Sequence, residues 1–184
     1  MQSQKLVDLL KTIVKRDVLN EQSIITFFTK RDYIGGWECW LQAEFARGVF
    51  DLQNFTAFNR EVTYPSSHKK CDLWFNGLRG AGIWVELKTQ RRSSYDATVE
   101  DFKTDIGKIT GLSQEFRQAN VLVALAVFIL SLNDRTALNV FRTTRPSGGT
   151  LSYFLLDNGQ WGEVTEDIIN AEVGKLLMAT YRAS

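Results

Sequence analysis

The chain has 184 residues, 44% of them hydrophobic and 12% aromatic, so it is long and apolar enough to bury one sizeable core. Its formal net charge of +1 provides no broad electropositive surface, so any contact with nucleic acid must be local and sensitive to salt. A single histidine and two cysteines exclude catalysis by a histidine pair and a zinc site built from clusters of these residues.

The N-terminal segment has the pattern of an amphipathic helix. Apolar residues recur from Leu6 to Val14, with Asp8, Lys11 and Lys15 interspersed. These charges argue against a signal peptide, so we expect a cytoplasmic protein. Residues 1–35 are expected to form one or two helices that pack on the core or mediate dimerisation, and no linker or repeat divides residues 1–184 into separate domains.

A second helix is predicted from Gly36 to Asp51, with Glu44 in the middle of its apolar stripe. The stripe consists of Trp37, Trp40, Leu41 and Gly48. A carboxylate on a core-facing stripe is costly unless it has a partner, is protonated or approaches a metal. We therefore single out Glu44 over Glu38, which points away from the stripe. An ion pair with an arginine, or a helix rotated enough to expose Glu44, is the alternative.

A β-hairpin is predicted around the glycine-rich run Asn76–Gly82, because glycine suits turns and weakens strand interiors. A hairpin symmetric about Arg79 places Asp72 opposite Glu86. In that register, polar and aromatic side chains share one face. The other face is then apolar and consists of Cys71, Leu73, Phe75, Ile83, Val85 and Leu87.

The opposed carboxylates of Asp72 and Glu86 need a neutralising partner, because like charges directly opposite in a sheet are destabilising. Opposed Cβ atoms lie roughly 4.5–5.5 Å apart, so the two groups can share a cation. Hard oxygen ligands suit Mg²⁺ or Mn²⁺, and Lys88 would lie beside the ion. The alternative is an exposed sheet face on which the carboxylates pair with Lys70 and Lys88.

Asp72, thirteen intervening residues and Glu86-Leu87-Lys88 together resemble the motif of the PD-(D/E)XK nuclease superfamily. Cys71 stands where that motif usually has proline. The resemblance covers about residues 36 to 131 and implies an α/β, restriction-endonuclease-like fold, with a central mixed β-sheet flanked by α-helices. It implies that Mg²⁺ or Mn²⁺ is held by Asp72, Glu86, the Leu87 carbonyl and Glu44. It further implies that Lys88 orients or deprotonates the attacking water.

Basic and polar residues next to this motif are candidates for contact with the phosphate backbone of DNA. Arginine forks, amide groups and lysines match phosphate oxygens. The candidates are Lys69, Lys70, Gln90, Arg91 and Arg92. A solvated loop without a ligand would have the same composition.

The next helix is predicted over Ala97 to Gln118. Its expected buried seam consists of Val99, Phe102, Ile106, Ile109, Ser113 and Phe116. Asp101, Asp105 and Lys108 flank the seam, and their spacing favours salt bridges on the helix surface. The resemblance implies that Lys108 can approach the catalytic face, so it joins the candidate nucleic-acid contacts.

The most apolar run, Val121 to Leu130, is too short to span a membrane and predicts a central strand buried on both faces. Further strands are expected over Ala137 to Thr143 and Leu151 to Asp157, followed by a closing helix from Thr165 to Tyr181. Cys39 and Cys71 are expected to be core thiols.

These patterns predict a magnesium-dependent nuclease that hydrolyses DNA, acting alone, as a homodimer or within a larger complex, without a membrane partner. One alternative is a catalytically inactive protein of nuclease fold that binds or assembles with others, or that acts as an immunity-like partner of a toxin. Another is an accidental motif, in which case Glu44, Asp72 and Glu86 would not converge.

Overall fold

The computed structural model contains helices on both faces of one mixed β-sheet. It describes residues 2–18, 38–52, 57–65, 67–76, 81–89, 95–129, 149–157, 160–163 and 176–183. The helices are α1 (Gln2–Ile13), which continues as a π-helical turn (Val14–Val18), α2 (Glu38–Leu52), α3 (Tyr95–Thr110) and α4 (Gln114–Ala119). The strands are β1 (Phe58–Thr63), β2 (Lys70–Asn76), β3 (Gly82–Thr89), β4 (Val121–Ile129), β5 (Gly149–Asp157), β6 (Gln160–Glu163) and β7 (Leu176–Ala183). The predicted α/β class is confirmed.

The seven strands lie in the order β1-β2-β3-β4-β7-β5-β6. Strands β3 and β4 are parallel, and the other described neighbours are antiparallel. Parallel neighbours need a long crossover, and α3 and α4 lie in the chain between β3 and β4. The hairpin register is confirmed, because Leu73 pairs with Val85 and Trp74 pairs with Trp84.

Two layers of apolar side chains cover the sheet. On one face, residues of β2, β3 and β4 pack against α1 and α2, whose buried side chains include Leu6, Leu10, Leu41 and Phe45. On the other face, Trp84 and residues of β4 pack against α3. Strand β4 is therefore buried on both faces from Leu122 to Val127, as its unbroken apolar sequence predicts.

The predicted helix over 97–118 is interrupted. Helix α3 ends at Thr110, and the oxygen of Ser113 accepts a hydrogen bond from the Phe116 backbone N–H at 3.2 Å, which caps α4. Ser113 is exposed, so its predicted place in the buried seam is wrong. The seam is buried at the four apolar positions of α3, Val99, Phe102, Ile106 and Ile109.

The end of the chain departs from the predicted closing helix. Leu176–Ala183 is a strand that pairs with β4 on one side and with β5 on the other. Leucine, methionine and alanine favour helices, but the hydrogen bonds available along two neighbouring strand edges override that weak preference. The predicted strand over Leu151 to Asp157 is confirmed within β5, whereas the predicted strand over 137–143 lies outside the described residues.

The two cysteines differ from each other in burial. Cys39 is exposed, which corrects its prediction as a core thiol, because it faces away from the buried side of α2. Cys71 is buried, but it packs with Tyr64 and Trp84 beneath α3 rather than with the apolar face of the hairpin. Cys71 therefore departs from the strict alternation that the sequence predicted for this strand.

No helix in the described part of the chain is both long and apolar enough to cross a membrane.

Candidate functional site

Four carboxylates and two lysines meet at the end of the β2–β3 hairpin, between α2 and α3. We call this group the carboxylate cluster. Its members are Glu38 of α2, Asp72 of β2, Glu86 and Lys88 of β3, and Asp105 and Lys108 of α3. The two carboxylates of the motif thus lie next to each other, together with its lysine.

Asp72 and Glu86 accept hydrogen bonds from β3, from helix α3 and from Tyr64, which follows β1. The Oδ2 atom of Asp72 accepts a hydrogen bond from the backbone N–H of Leu87 at 2.7 Å. The Oε1 atom of Glu86 accepts one from the Tyr64 hydroxyl at 2.9 Å, and its Oε2 atom accepts one from Lys108 Nζ at 3.2 Å. Glu86 is completely buried, so these donors replace the water that a free carboxylate would bind.

Lys88 lies at the centre of the carboxylate cluster. Its Nζ atom is 3.4 Å from Asp72, 3.5 Å from Glu38 and 3.5 Å from Asp105. Burial alone would lower the pKa of Lys88, but the charges of Asp105, Asp72, Glu38 and Glu86 outweigh burial and raise the pKa above its ordinary value. Lys88 is therefore a cation at neutral pH.

The carboxylate cluster has two more acidic than basic groups, so it carries an excess of negative charge when all six are ionised. Burial, followed by the charges of Asp105 and Asp72, raises the pKa of Glu86 to about 8. Burial also raises the pKa of Asp105 and of Glu38. In the absence of a cation, the cluster consequently holds at least one proton near neutral pH.

One carboxylate oxygen from each of Asp72, Glu86 and Asp105 lies within 4.8 Å of the other two, an arrangement that suits a shared metal ion. These oxygens are the hard ligands that Mg²⁺ and Mn²⁺ prefer. When all six groups are ionised, the cluster has two excess negative charges, which one divalent ion would neutralise. The donor set and the electrostatics therefore both fit such a cation.

Glu44, the helix carboxylate that the sequence favoured, does not join this cluster. Its Oε2 atom pairs with Arg47 Nη2 at 2.6 Å and with Arg16 Nη2 at 3.5 Å. The buried side chains of α2 are Leu41, Gln42, Phe45, Ala46 and Val49, so the core-facing stripe is rotated by about one residue from the predicted one. This rotation turns Glu44 outward and brings Glu38, at the start of the stripe, within reach of Lys88.

The remaining predicted site residues divide into four groups. Lys69 and Lys70 are exposed just before Asp72, where a ligand can reach them. Lys108 pairs with Glu86 and Asp105, so its amine is directed into the cluster. Gln90, Arg91 and Arg92 lie outside the described residues. The Leu87 backbone N–H binds Asp72, and a role of its carbonyl stays a prediction.

Sequence reasoning missed the roles of Asp105 and Tyr64 in this cluster. Asp105 appeared in the pattern Asp101–Asp105–Lys108, which was interpreted as a surface salt bridge. A signal was available, because Asp105 directly precedes Ile106 of the buried seam. Tyr64 had no local signal, since it is 22 residues from Glu86, the partner of its hydroxyl.

No protein-family model matches this chain, and neither a curated protein nor a solved structure matches it.

Proposed function

We propose that this protein is a metal-dependent nuclease of the PD-(D/E)XK kind, which hydrolyses phosphodiester bonds in DNA. The observation that carries the proposal is the convergence of Asp72, Glu86 and Lys88 at one end of a hairpin, in a cluster with an excess of negative charge. Helices α2 and α3 flank the hairpin in the chain, in the order that the superfamily resemblance leads one to expect. This order supports a restriction-endonuclease-like fold.

Asp72 and Glu86 would hold Mg²⁺ or Mn²⁺, with the Leu87 carbonyl as a further oxygen ligand. A divalent ion bound there would polarise the scissile phosphate and lower the pKa of a bound water. Glu38 replaces Glu44 as the helix carboxylate in this proposal, since it lies 3.5 Å from Lys88. It would accept a hydrogen bond from the attacking water or orient a water bound to the ion.

Lys88 would act as a cation rather than as the general base. Its raised pKa keeps the amine protonated, so it donates hydrogen bonds to the water or to a phosphate oxygen. The water oxygen forms a new bond to phosphorus while one phosphorus–oxygen ester bond breaks. The attacking water gives up one proton and the leaving oxygen takes up one, so the products are a phosphate monoester and an alcohol.

DNA would reach the cluster from the side on which its members are partly exposed. The side chains of Glu38, Asp72, Lys88 and Lys108 are between 12% and 20% exposed, whereas Glu86 is closed to solvent. Lys69 and Lys70 are exposed beside Asp72 and would bind phosphates next to the scissile one. With a net charge of +1, affinity should be modest and should fall steeply with salt.

Cleavage of supercoiled plasmid, linear duplex and single strands in Mg²⁺ or EDTA tests this proposal. Glu86→Gln and Lys88→Met should each lower Mg²⁺-dependent cleavage at least about 100-fold, because the first removes a charged metal ligand and the second removes a cation that stabilises the transition state. Glu44→Gln is the matched control, since Glu44 pairs with Arg16 and Arg47 outside the cluster. Circular dichroism verifies folding. Equal cleavage by wild type and both cluster variants would refute the proposal.

A second candidate function is that of a non-catalytic binding or assembly subunit. The observation that favours it is that Lys88 and Lys108 already pair with all four carboxylates of the cluster. A network of this kind can hold α2 and α3 against the sheet without a metal. Titration with Mn²⁺ separates the two candidates. A non-catalytic subunit should show no specific Mn²⁺ binding, and Glu86→Gln should not change the titration.

A further inference from the structure

Helix α3 brings a third carboxylate to the proposed metal site. Asp105 is only 1% exposed, and it comes from a different element than Asp72 of β2 and Glu86 of β3. One oxygen of each residue lies within 4.8 Å of the other two. Three carboxylates therefore surround one position, where the hairpin motif by itself would supply two.

One oxygen of the Asp105 carboxylate receives no hydrogen bond from the part of the chain that the structure describes. Its Oδ1 atom pairs with Lys108 Nζ at 2.6 Å. Its Oδ2 atom is buried and has no hydrogen-bond partner among the described residues, although Lys88 Nζ lies at an ion-pair distance of 3.5 Å. A buried carboxylate oxygen without a donor is costly, and a cation would satisfy it.

We propose that Asp105 is a direct ligand of the divalent cation bound by Asp72 and Glu86, so that three carboxylates would hold the ion. This inference rests on the proposed function, because it concerns the same metal site. Lys108 bridges Glu86 Oε2 and Asp105 Oδ1 and so holds these two ligands in place.

A metal-exchange experiment distinguishes direct ligation from a nearby charge. In Asp105→Cys, the thiolate should bind Cd²⁺ and produce a sulfur-to-metal charge-transfer band, because soft metals prefer sulfur ligands. Glu100→Cys is the matched control, since Glu100 lies on the same helix but is exposed and pairs with Lys103. The native thiols of Cys39 and Cys71 contribute equally to both variants. No additional band in Asp105→Cys would overturn the inference.

Calorimetric titration with Mn²⁺ supplies the affinity. Asp105→Asn should weaken Mn²⁺ binding about tenfold or more, and Glu100→Gln should leave it unchanged. If Asp105→Asn does not fold, the double variant D105N/K108M removes both halves of the ion pair and should show the same loss. Wild-type affinity in Asp105→Asn, with binding lost in Glu86→Gln, would overturn this inference alone. No Mn²⁺ binding by the wild type would overturn it together with the proposed function.

Discussion

The affinity of the carboxylate cluster for a divalent cation should rise steeply with pH. In the metal-free protein the pKa of Glu86 is raised to about 8, so this carboxyl group is almost fully protonated at pH 6. A cation must displace that proton to bind. The apparent association constant for Mn²⁺ should therefore rise about tenfold per pH unit below pH 7 and about 50-fold between pH 6 and pH 8.

Calorimetry in two buffers with different ionisation enthalpies measures both the affinity and the number of protons released. About one proton should leave Glu86 per Mn²⁺ bound at pH 6.5, and fewer at pH 8. Glu44→Gln should show the wild-type profile, because Glu44 pairs with Arg47 and Arg16 outside the cluster. Binding that occurs without proton release and does not vary from pH 6 to pH 8 would refute this reasoning.

Three further substitutions test the effect of single side chains on stability. Tyr64→Phe removes the hydroxyl that donates a hydrogen bond to Glu86 Oε1, so it should lower the free energy of unfolding by about 1 kcal/mol and shift the rise of Mn²⁺ affinity to higher pH. Urea unfolding measures the first effect and calorimetric titration at several pH values measures the second. An unchanged pH profile of Mn²⁺ affinity would contradict the prediction. Gly149→Ala should destabilise the protein by about 1–3 kcal/mol, because its Cβ would meet the Arg182 carbonyl and the Tyr181 ring. Gly107→Ala should stabilise the protein by about 0.5–1 kcal/mol, because Gly107 lies in a helix with open space around the new methyl group. A change of the same sign in the free energy of unfolding of both glycine variants would contradict the packing described.

The hairpin could be predicted from sequence because two local signals agreed. The glycine-rich run located the turn, and the alternation of side chains allowed one register, which the Trp74–Trp84 pair confirms. Residues near each other in the chain determine both signals. That register also explains why Asp72, Glu86 and Lys88 lie close to one another.

The contribution of α2 could not be predicted in the same way. A rotation of one residue exchanges Glu44 for Glu38, and the aromatic residues Trp37 and Trp40 favoured the wrong stripe. Packing against α1 and the sheet decides the rotation, and it buries Leu41 and Phe45. Such contacts join residues far apart in the chain, so the helix periodicity alone does not reveal them.

Asp105 shows a related limit. An aspartate three residues before a lysine forms the same ion pair on a helix surface and in a buried cluster. Asp105 differs from a surface residue because it lies close to Asp72 and Glu86. That proximity depends on how α3, which connects the parallel strands β3 and β4, packs against the sheet. Its place beside the buried Ile106 indicated burial but not the identity of its partners.

The energetics of Glu86 favour a bound ligand over a purely architectural role. The pKa of Glu86 is raised from 4.5 to about 8 in the folded protein, so the folded state binds this proton more tightly than the unfolded state does. The folded state is therefore favoured most below pH 4.5, and this advantage is lost as the pH rises through 8. At pH 7 much of this advantage is already lost, because the pH is well above the ordinary pKa of a glutamate. A well-packed apolar residue would avoid this cost, whereas a cation that binds only the folded state recovers it. The cluster is therefore a poor stabilising element without an ion and a suitable site with one.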